Sequence, residues 1–302
     1  MALYAFDGTG NKDNPGDGED TNVLKFFKAY KDGYTGSGKN FYVPGVGTRW
    51  GRVGKFFGSL FGAGGKKRIK EAMKALGKNV KQGDKTIDII GFSRGGALAL
   101  EFANEILEKR VPGLKAPSIR FLGIWDTVAS FGIPGNNINL GFQLNVPDNV
   151  ETCCHAIALD ERRFSFPLTR VVQNAFTARQ RRNIREVWFR GYHSDVGGGN
   201  KNQGLSSISL TWMFRRAKDC KIRIPDLHVN HHAGLRKPKG PCQKPGMDLK
   251  ANKMRPIQPN DVVHESVLTR KKVGPFPANN PPRGQAVARD DGKIPSKGFG
   301  RS

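Results

Sequence analysis

Gly91-Phe92-Ser93-Arg94-Gly95 has the residue types and spacing that set up a nucleophile. It follows Thr86-Ile87-Asp88-Ile89-Ile90, a short β-branched run that reads as a central parallel strand buried on both faces. After it, Leu98, Phe102 and Ile106 share one face of a helix that stops near Pro112-Gly113. A serine on a sharp strand-to-helix turn takes a strained backbone conformation that lifts its hydroxyl above the strand ends. Gly91 and Gly95 are required there because a Cβ would collide with the neighbouring strand and helix. The helix opening at Arg94 brings its positive dipole end up to the hydroxyl.

A serine hydroxyl is a poor nucleophile without a base that is itself held by a carboxylate. In α/β hydrolases these follow in the order serine, acid, histidine. Asp126 closes the next strand, residues 119–125, and His193 follows a later strand, so both are expected at the carboxyl edge of the sheet. Asp126 is expected to orient His193, and His193 to take the Ser93 proton. His264 is the alternative base, and Asp160 and Asp195 are alternative acids. His228, His231 and His232 fall in a loop-like basic stretch, and His155 begins a strand. An oxyanion hole needs two backbone N–H donors. Arg94 is expected to give one, and Gly8 or Thr9, in the glycine-rich turn Asp7-Gly8-Thr9-Gly10, the other. That turn lacks the GxxxxGK[ST] pattern of a nucleotide cradle.

These residues need a scaffold that brings distant strand ends together. Residues 3–6, 41–43, 119–125, 155–159 and 186–189 read as further strands. Val23, Leu24, Phe27 and Tyr30 keep helical spacing, as do Ile69, Ala72, Met73, Leu76 and Val80. A helix carrying Ile208, Leu210, Trp212 and Met213 is expected to be capped by Ser206 or Ser207. Residues 133–150 read as a loop. Strands alternating with helices predict an α/β fold, α/β-hydrolase-like, with a mostly parallel central sheet flanked by helices.

The chain has 302 residues and a net charge of +24, with a pI near 10.2. From residue 215 onward it holds 20 basic and 7 acidic residues, about half of the excess. Such a balance points to an anionic partner. No apolar run is long enough to span a membrane, and the start carries no signal peptide, so synthesis and folding in the cytoplasm is expected. The four cysteines make neither a disulfide framework nor zinc spacing, and reduced structural thiols are expected. No metal and no cofactor is called for.

Four motifs in order resemble one family: Phe6-Asp7-Gly8-Thr9-Gly10-Asn11, the run around Ser93, residues 121–128 ending Trp125-Asp126-Thr127-Val128, and Gly191-Tyr192-His193-Ser194-Asp195 with the glycines 197–199. They look like the catalytic domain of type VI secretion phospholipase effectors, a formerly uncharacterised α/β-hydrolase domain. Residues 155–163 and 263–268 resemble its later motifs, and the likeness covers roughly residues 2–285. The resemblance implies a Ser-Asp-His lipase or esterase that cuts membrane phospholipid, delivered into rival cells without a signal peptide. It also implies type VI secretion machinery and an immunity protein as partners. Residues 1–285 are expected to form the catalytic domain, and 286–302 a basic, flexible tail. Phe56, Phe57, Leu60 and Phe61, with Lys55, Lys66, Lys67 and Arg68 beside them, read as a lid that touches lipid at an anionic membrane surface. Two other readings stand beside this one. One is a general carboxylesterase with no lipid role. The other is a basic nucleic-acid or partner-binding protein on a hydrolase fold, although no nucleic-acid motif is present and no nucleic acid is expected.

Overall fold

The computed structural model describes residues 1–8, 20–35, 38–45, 63–109, 111–129, 141–172, 183–243, 253–273 and 276–290. In chain order the elements are β1 (Ala2–Phe6), α1 (Asn22–Gly33), β2 (Phe41–Val43), α2 (Ala63–Lys81), β3 (Ile87–Phe92), α3 (Arg94–Glu108), β4 (Ile119–Trp125), β5 (Cys153–Ala158) and β6 (Ile184–Phe189). They continue with α4 (His193–Gly197), α5 (Gln203–Asp219), α6 (Asp226–Gly234), β7 (Val262–His264), a 3-10 turn (Glu265–Thr269), β8 (Lys272–Val273), β9 (Phe276–Pro277) and β10 (Ala286–Ala288). Eight strands form one sheet in the order β2-β1-β3-β4-β5-β6-β7-β10. Every neighbouring pair in it is parallel. The fold is the expected α/β one, with a parallel sheet between helices.

Alternation along each strand explains the two layers. Tyr4, Phe6, Ile87, Ile89, Leu122 and Ile124 face α2 and α3, against Ile69, Leu76, Leu98, Phe102 and Ile106. Leu3, Ala5, Ile90, Phe92, Phe121 and Trp125 face α1 and α5, against Val23, Phe26, Leu210, Met213 and Phe214. Asp88 breaks the apolar run of β3, and its carboxylate is covered by Tyr30 and a fork from Arg120.

The chain leaves β1 for β2 in one direction and β3 for β4 in the other. The sheet order therefore reverses between β1 and β3. In such a sheet the crevice beyond the strand ends lies at this switch point, flanked by helices that start on opposite faces. Phe6-Asp7-Gly8 ends one of these strands, and Phe92-Ser93 ends the other.

Several local expectations change. Asn202, not Ser206 or Ser207, caps α5, and its side chain accepts the Gly204 N–H at 3.3 Å. Both serines lie inside the helix. The run from Gln203 extends the helix by a full turn that its apolar spacing does not mark. His228, His231 and His232 belong to helix α6 rather than to a loop. The expected tail begins inside the sheet, because Ala286–Ala288 pair with β7. Residues 291–302 lie outside the described residues, as do Lys55, Phe56, Phe57, Leu60 and Phe61. Residues 141–150 form no helix or strand, as expected of a loop, and 133–140 are not described. Lys66 and Lys67 are exposed on α2. No described helix is long and apolar enough to cross a membrane.

The close approach of α3 to β1 gives a sharp test. A Cβ on Gly95 would sit 2.1 Å from the Phe6 carbonyl oxygen and 2.6 Å from its carbon. Backbone cannot yield there as a side chain would. Gly95→Ala is expected to cost about 3 kcal/mol of stability. Urea unfolding should show this as a lower midpoint at unchanged slope. A midpoint equal to that of the parent would mean that the strand and helix are not so tightly apposed.

Candidate active site

Ser93 stands between β3 and α3 with φ 58° and ψ −125°. This is a strained conformation for a residue with a side chain. The glycines around it explain why the chain tolerates the turn. A Cβ on Gly91 would lie 2.5 Å from the Gly95 carbonyl oxygen and 2.8 Å from Gly96 Cα. Gly95 meets β1, as described above. Each glycine thus removes a collision between the turn and the helix or strand beside it, as the sequence pattern implied. Gly96 is similarly close to its neighbour, and a Cβ there would lie 2.5 Å from Thr127 Oγ1. Arg94 opens the helix beside Ser93. Its guanidinium is buried, which lowers its pKa to about 10.

The backbone of Ser93 is bonded on both sides of Asp126. Its N–H donates to the Trp125 carbonyl at 3.0 Å, and the Val128 N–H donates to its carbonyl at 3.2 Å. Asp126 has no solvent exposure and a positive φ of 36°. His193 Nδ1 lies 2.6 Å from Asp126 Oδ2. The His193 ring packs between Phe92, centroids 4.6 Å apart, and Phe166, edge-on at 4.8 Å. Phe92 directly precedes Ser93. The structure therefore gathers Ser93, Asp126 and His193 at the carboxyl edge of the sheet, next to the β1–β3 switch point. His193 opens the short helix α4 rather than lying in an open loop, and Tyr192 and Asp195 form its capping box.

The carboxylate of Asp126 has further partners. The Ala158 N–H donates to Oδ1 at 2.9 Å. Arg255 donates from one guanidinium nitrogen to Oδ1 at 2.6 Å and from the other to Oδ2 at 3.3 Å. The same guanidinium donates to the carbonyls of Ala158 and Phe166. Burial works against ionising Asp126, but the charge of Arg255 and the His193 hydrogen bond outweigh it. The carboxyl is held well below the usual carboxylate range. His193 shifts the other way from most paired histidines. Burial lowers its pKa, and the pull of Asp126 does not fully offset this, with the positive charge of Arg163 adding to the fall.

Three residues near the site carry no sequence motif that marks their role. Arg255 is one. Glu161 is the second. Its Oε2 accepts the His193 N–H at 3.1 Å, and its two oxygens are forked by Arg163. Burial would raise its pKa, but the bond and charge of Arg163 bring it to about 2. His155 is the third. Its Nε2 accepts the Thr127 N–H at 3.2 Å, so its proton sits on Nδ1, which faces Glu186 at 3.0 Å. This ring pins the peptide that follows Asp126.

The alternative residues are engaged elsewhere. His264 is buried in β7, with Nε2 on Asp290 and Nδ1 on Ser266. Asp160 holds Arg190 and the Gly191 N–H. Asp195 holds the amides of Tyr192 and Gln243. None of the three bonds to His193 or Ser93 among the described residues. Gly8, expected to offer its amide to an oxyanion, donates it to Asp7 Oδ1 at 2.6 Å. Asp7 is buried beside the elbow and is held by Thr21 and Tyr42 at 2.6 Å each. Burial outweighs these bonds and raises its pKa to about 6. Thr9 lies outside the described residues.

Among solved structures, an uncharacterized protein from Pseudomonas aeruginosa shares this fold at 24% identity and a TM-score of 0.51, over 76% of this chain and 47% of that one. The Tle1 effector bound to the VgrG spike of a type VI secretion system matches at 22% identity and a TM-score of 0.46, over 67% and 51%. A putative hydrolase of the α/β superfamily from Xanthomonas campestris pv. campestris matches at 12% and 0.34, over 64% and 87%. The chain spans about half the length of the first two. No curated protein sequence matches. The model of the type VI secretion Tle1-like phospholipase effector catalytic domain matches residues 3–109 and 103–216, more than half of the chain, and the chain belongs to that family.

Proposed function

We propose that the chain is a serine hydrolase that cleaves carboxylic ester bonds of membrane phospholipids, with Ser93 as nucleophile, His193 as base and Asp126 as its anchor. One observation carries this. The strained serine at the start of α3 is bonded through its backbone on both sides of Asp126, whose carboxylate holds Nδ1 of His193 at 2.6 Å. A ring held through Nδ1 keeps Nε2 for the proton of the nucleophile.

The steps follow from this. Ser93 Oγ attacks the acyl carbonyl carbon and gives its proton to His193 Nε2. The carbonyl oxygen becomes an oxyanion, which the Arg94 amide and the positive end of α3 stabilise. Gly8 adds a second donor once its bond to Asp7 opens. As the intermediate collapses, the ester C–O bond breaks and His193 returns the proton to the departing glycerol oxygen. The acyl group stays on Ser93. Water then adds to it with His193 again as base, releasing the fatty acid and restoring the serine. Asp126 stays ionised throughout and stabilises the imidazolium.

Family membership favours a phospholipid over a small soluble ester. The net charge of +24 suits an anionic membrane surface. The same membership supports delivery into target cells by type VI secretion machinery, with an immunity protein guarding the producer.

A fluorophosphonate probe is expected to label the wild type and not Ser93→Ala. Vesicle hydrolysis should fall by at least about 10³-fold in that variant. Equal labelling of both would sink the serine mechanism. Cleavage of a short soluble ester with no release of fatty acid from vesicles would leave a general esterase. Tight, salt-sensitive nucleic-acid binding by a protein that never labels would favour the binding module.

His193 accepts a proton only when neutral, which it is above its pKa. Because that pKa is lowered, the acid limb of kcat/KM is expected below pH 6.5. A limb at or above pH 6.5 would contradict the buried, apolar setting of the ring.

Arg255→Met leaves Asp126 buried with one fewer cation. It is expected to destabilise the fold by about 3–5 kcal/mol in urea. In the surviving folded protein the acid limb should move upward, because less positive charge opposes protonation of His193. A variant as stable as the parent would show that Asp126 does not depend on this pair.

A further inference from the structure

Arg163 is placed beside the candidate catalytic base by an arrangement that the ester chemistry itself does not need. Its Nε and one terminal nitrogen donate to Glu161 at 2.9 and 2.7 Å. Its guanidinium carbon lies 3.8 Å from the centroid of the Phe166 ring, over its face. Phe166 in turn packs edge-on against His193. Glu161 Oε2 accepts both from Arg163 and from the His193 N–H, so guanidinium and base share one carboxylate oxygen. Glu161 is fully buried, while the Arg163 side chain keeps 16% of its surface in solvent. The outward charge of the pair is therefore positive. The second terminal nitrogen of Arg163 takes no hydrogen bond among the described residues.

A guanidinium stacked on an aromatic ring and forked by a buried carboxylate has few ways to move. It presents a fixed, planar donor edge, which suits the oxygens of a phosphate group. In a glycerophospholipid the phosphodiester lies only a few bonds from the ester carbonyl, so a cation held next to the ring packed on His193 faces the part of the substrate beside the reacting ester. We propose that Arg163 is a specificity-determining residue that takes the phosphodiester of the substrate, and so distinguishes a phospholipid from a neutral acylglycerol. This rests on the phospholipase reading above. Arg162, next in the chain, is turned elsewhere, toward Phe276 and the Pro277 carbonyl. The assignment is therefore to Arg163 and not to the basic pair.

The test compares phosphatidylethanolamine with diacylglycerol carrying the same acyl chains, in the same neutral mixed micelles. Both present the same ester to the same Ser93 and His193, and only one carries the phosphodiester. The readout is the ratio of kcat/KM for the two. Arg163→Gln is expected to lower that ratio about tenfold or more, chiefly through KM for the phospholipid. Arg163→Lys keeps the charge but loses the fork, and is expected to lower it about threefold. Loss of support for Phe166 and His193 alone would slow both lipids alike. A ratio within twofold of wild type in Arg163→Gln would therefore overturn the proposal. If Arg163→Gln does not fold, as judged by the loss of a cooperative urea transition, Arg163→Lys decides, and a wild-type ratio there overturns it. Wild-type protein that never labels at Ser93 would instead defeat the serine reading, a different outcome from a labelled protein whose preference ignores Arg163.

Discussion

Asp126 is a charge with no water around it, and the site is built on the need to satisfy that charge. An ionised carboxylate in a protein interior costs several kcal/mol unless donors surround it. Here the donors come from separate parts of the chain: Ala158 at the end of β5, His193 at the start of α4, and Arg255 from the segment before β7. Each is also tied elsewhere. Arg255 reaches the Ala158 and Phe166 carbonyls, and its own carbonyl accepts from Asn279, which also holds the Leu159 carbonyl. Asn279 donates its N–H to Asp160, another buried carboxylate, which pairs with Arg190 and holds the Gly191 amide two residues before His193. Two carboxylate–guanidinium pairs, linked by one asparagine, thus fix the approach to the base from both ends.

The sheet supplies what the charges cannot, namely a place where strand ends diverge. With β1 and β3 adjacent and their connections leaving in opposite directions, the region past Phe6 and Phe92 is open by topology. The strain sits at the same place. Ser93 and Asp126 both have positive φ, at the ends of adjacent strands, and both are over-determined by neighbours that cannot shift. The Trp125 carbonyl, the His155 ring and the glycines of the elbow hold these two turns against their own preferences. Strain of this kind persists only where the surroundings impose it, and it clusters where geometry must be reproducible.

The parts legible in the sequence are those whose constraint is local. Gly91 and Gly95 announce the elbow because the collision they avoid lies within a few residues along the chain or on the adjoining strand. The strands to Asp126 and to His193 show as apolar runs that end in a polar residue. The partners of those residues do not show in this way. Arg255 is one of 50 basic residues, and nothing in its neighbourhood separates it from the solvated remainder of a basic segment until the fold carries it to Asp126. Glu161 shows only within a run of family likeness, and His155 there and as the start of a strand, neither with a role. Their work is to bond to main-chain amides of distant elements, and no spacing rule encodes that. The errors have the same origin. The polar face of α6 and the three-residue strands β7 and β10 carry too little apolar pattern to declare themselves. Their structure comes from the sheet edge and the helix they pack against.

The buried cation has a cost for the base it supports. By holding Asp126 ionised, Arg255 guarantees a carboxylate to orient His193. In the proposed mechanism it also places positive charge near a ring that becomes positive on accepting the serine proton. The positive charge of Arg163 acts on the ring as well, and the two phenylalanine rings bury it. Burial and positive charge therefore oppose the imidazolium, while the bond and charge of Asp126 and the charge of Glu161 favour it. The balance keeps His193 neutral, and so ready to accept, at a lower pH than a free histidine. A base of this kind transfers its proton to the leaving oxygen readily, since a weaker base is the conjugate of a stronger acid. Under the proposal for Arg163, an anionic phosphodiester bound beside it offsets one of these cations and raises the basicity of His193 when substrate arrives. The environment that restrains the base in the free enzyme would then release it in the complex.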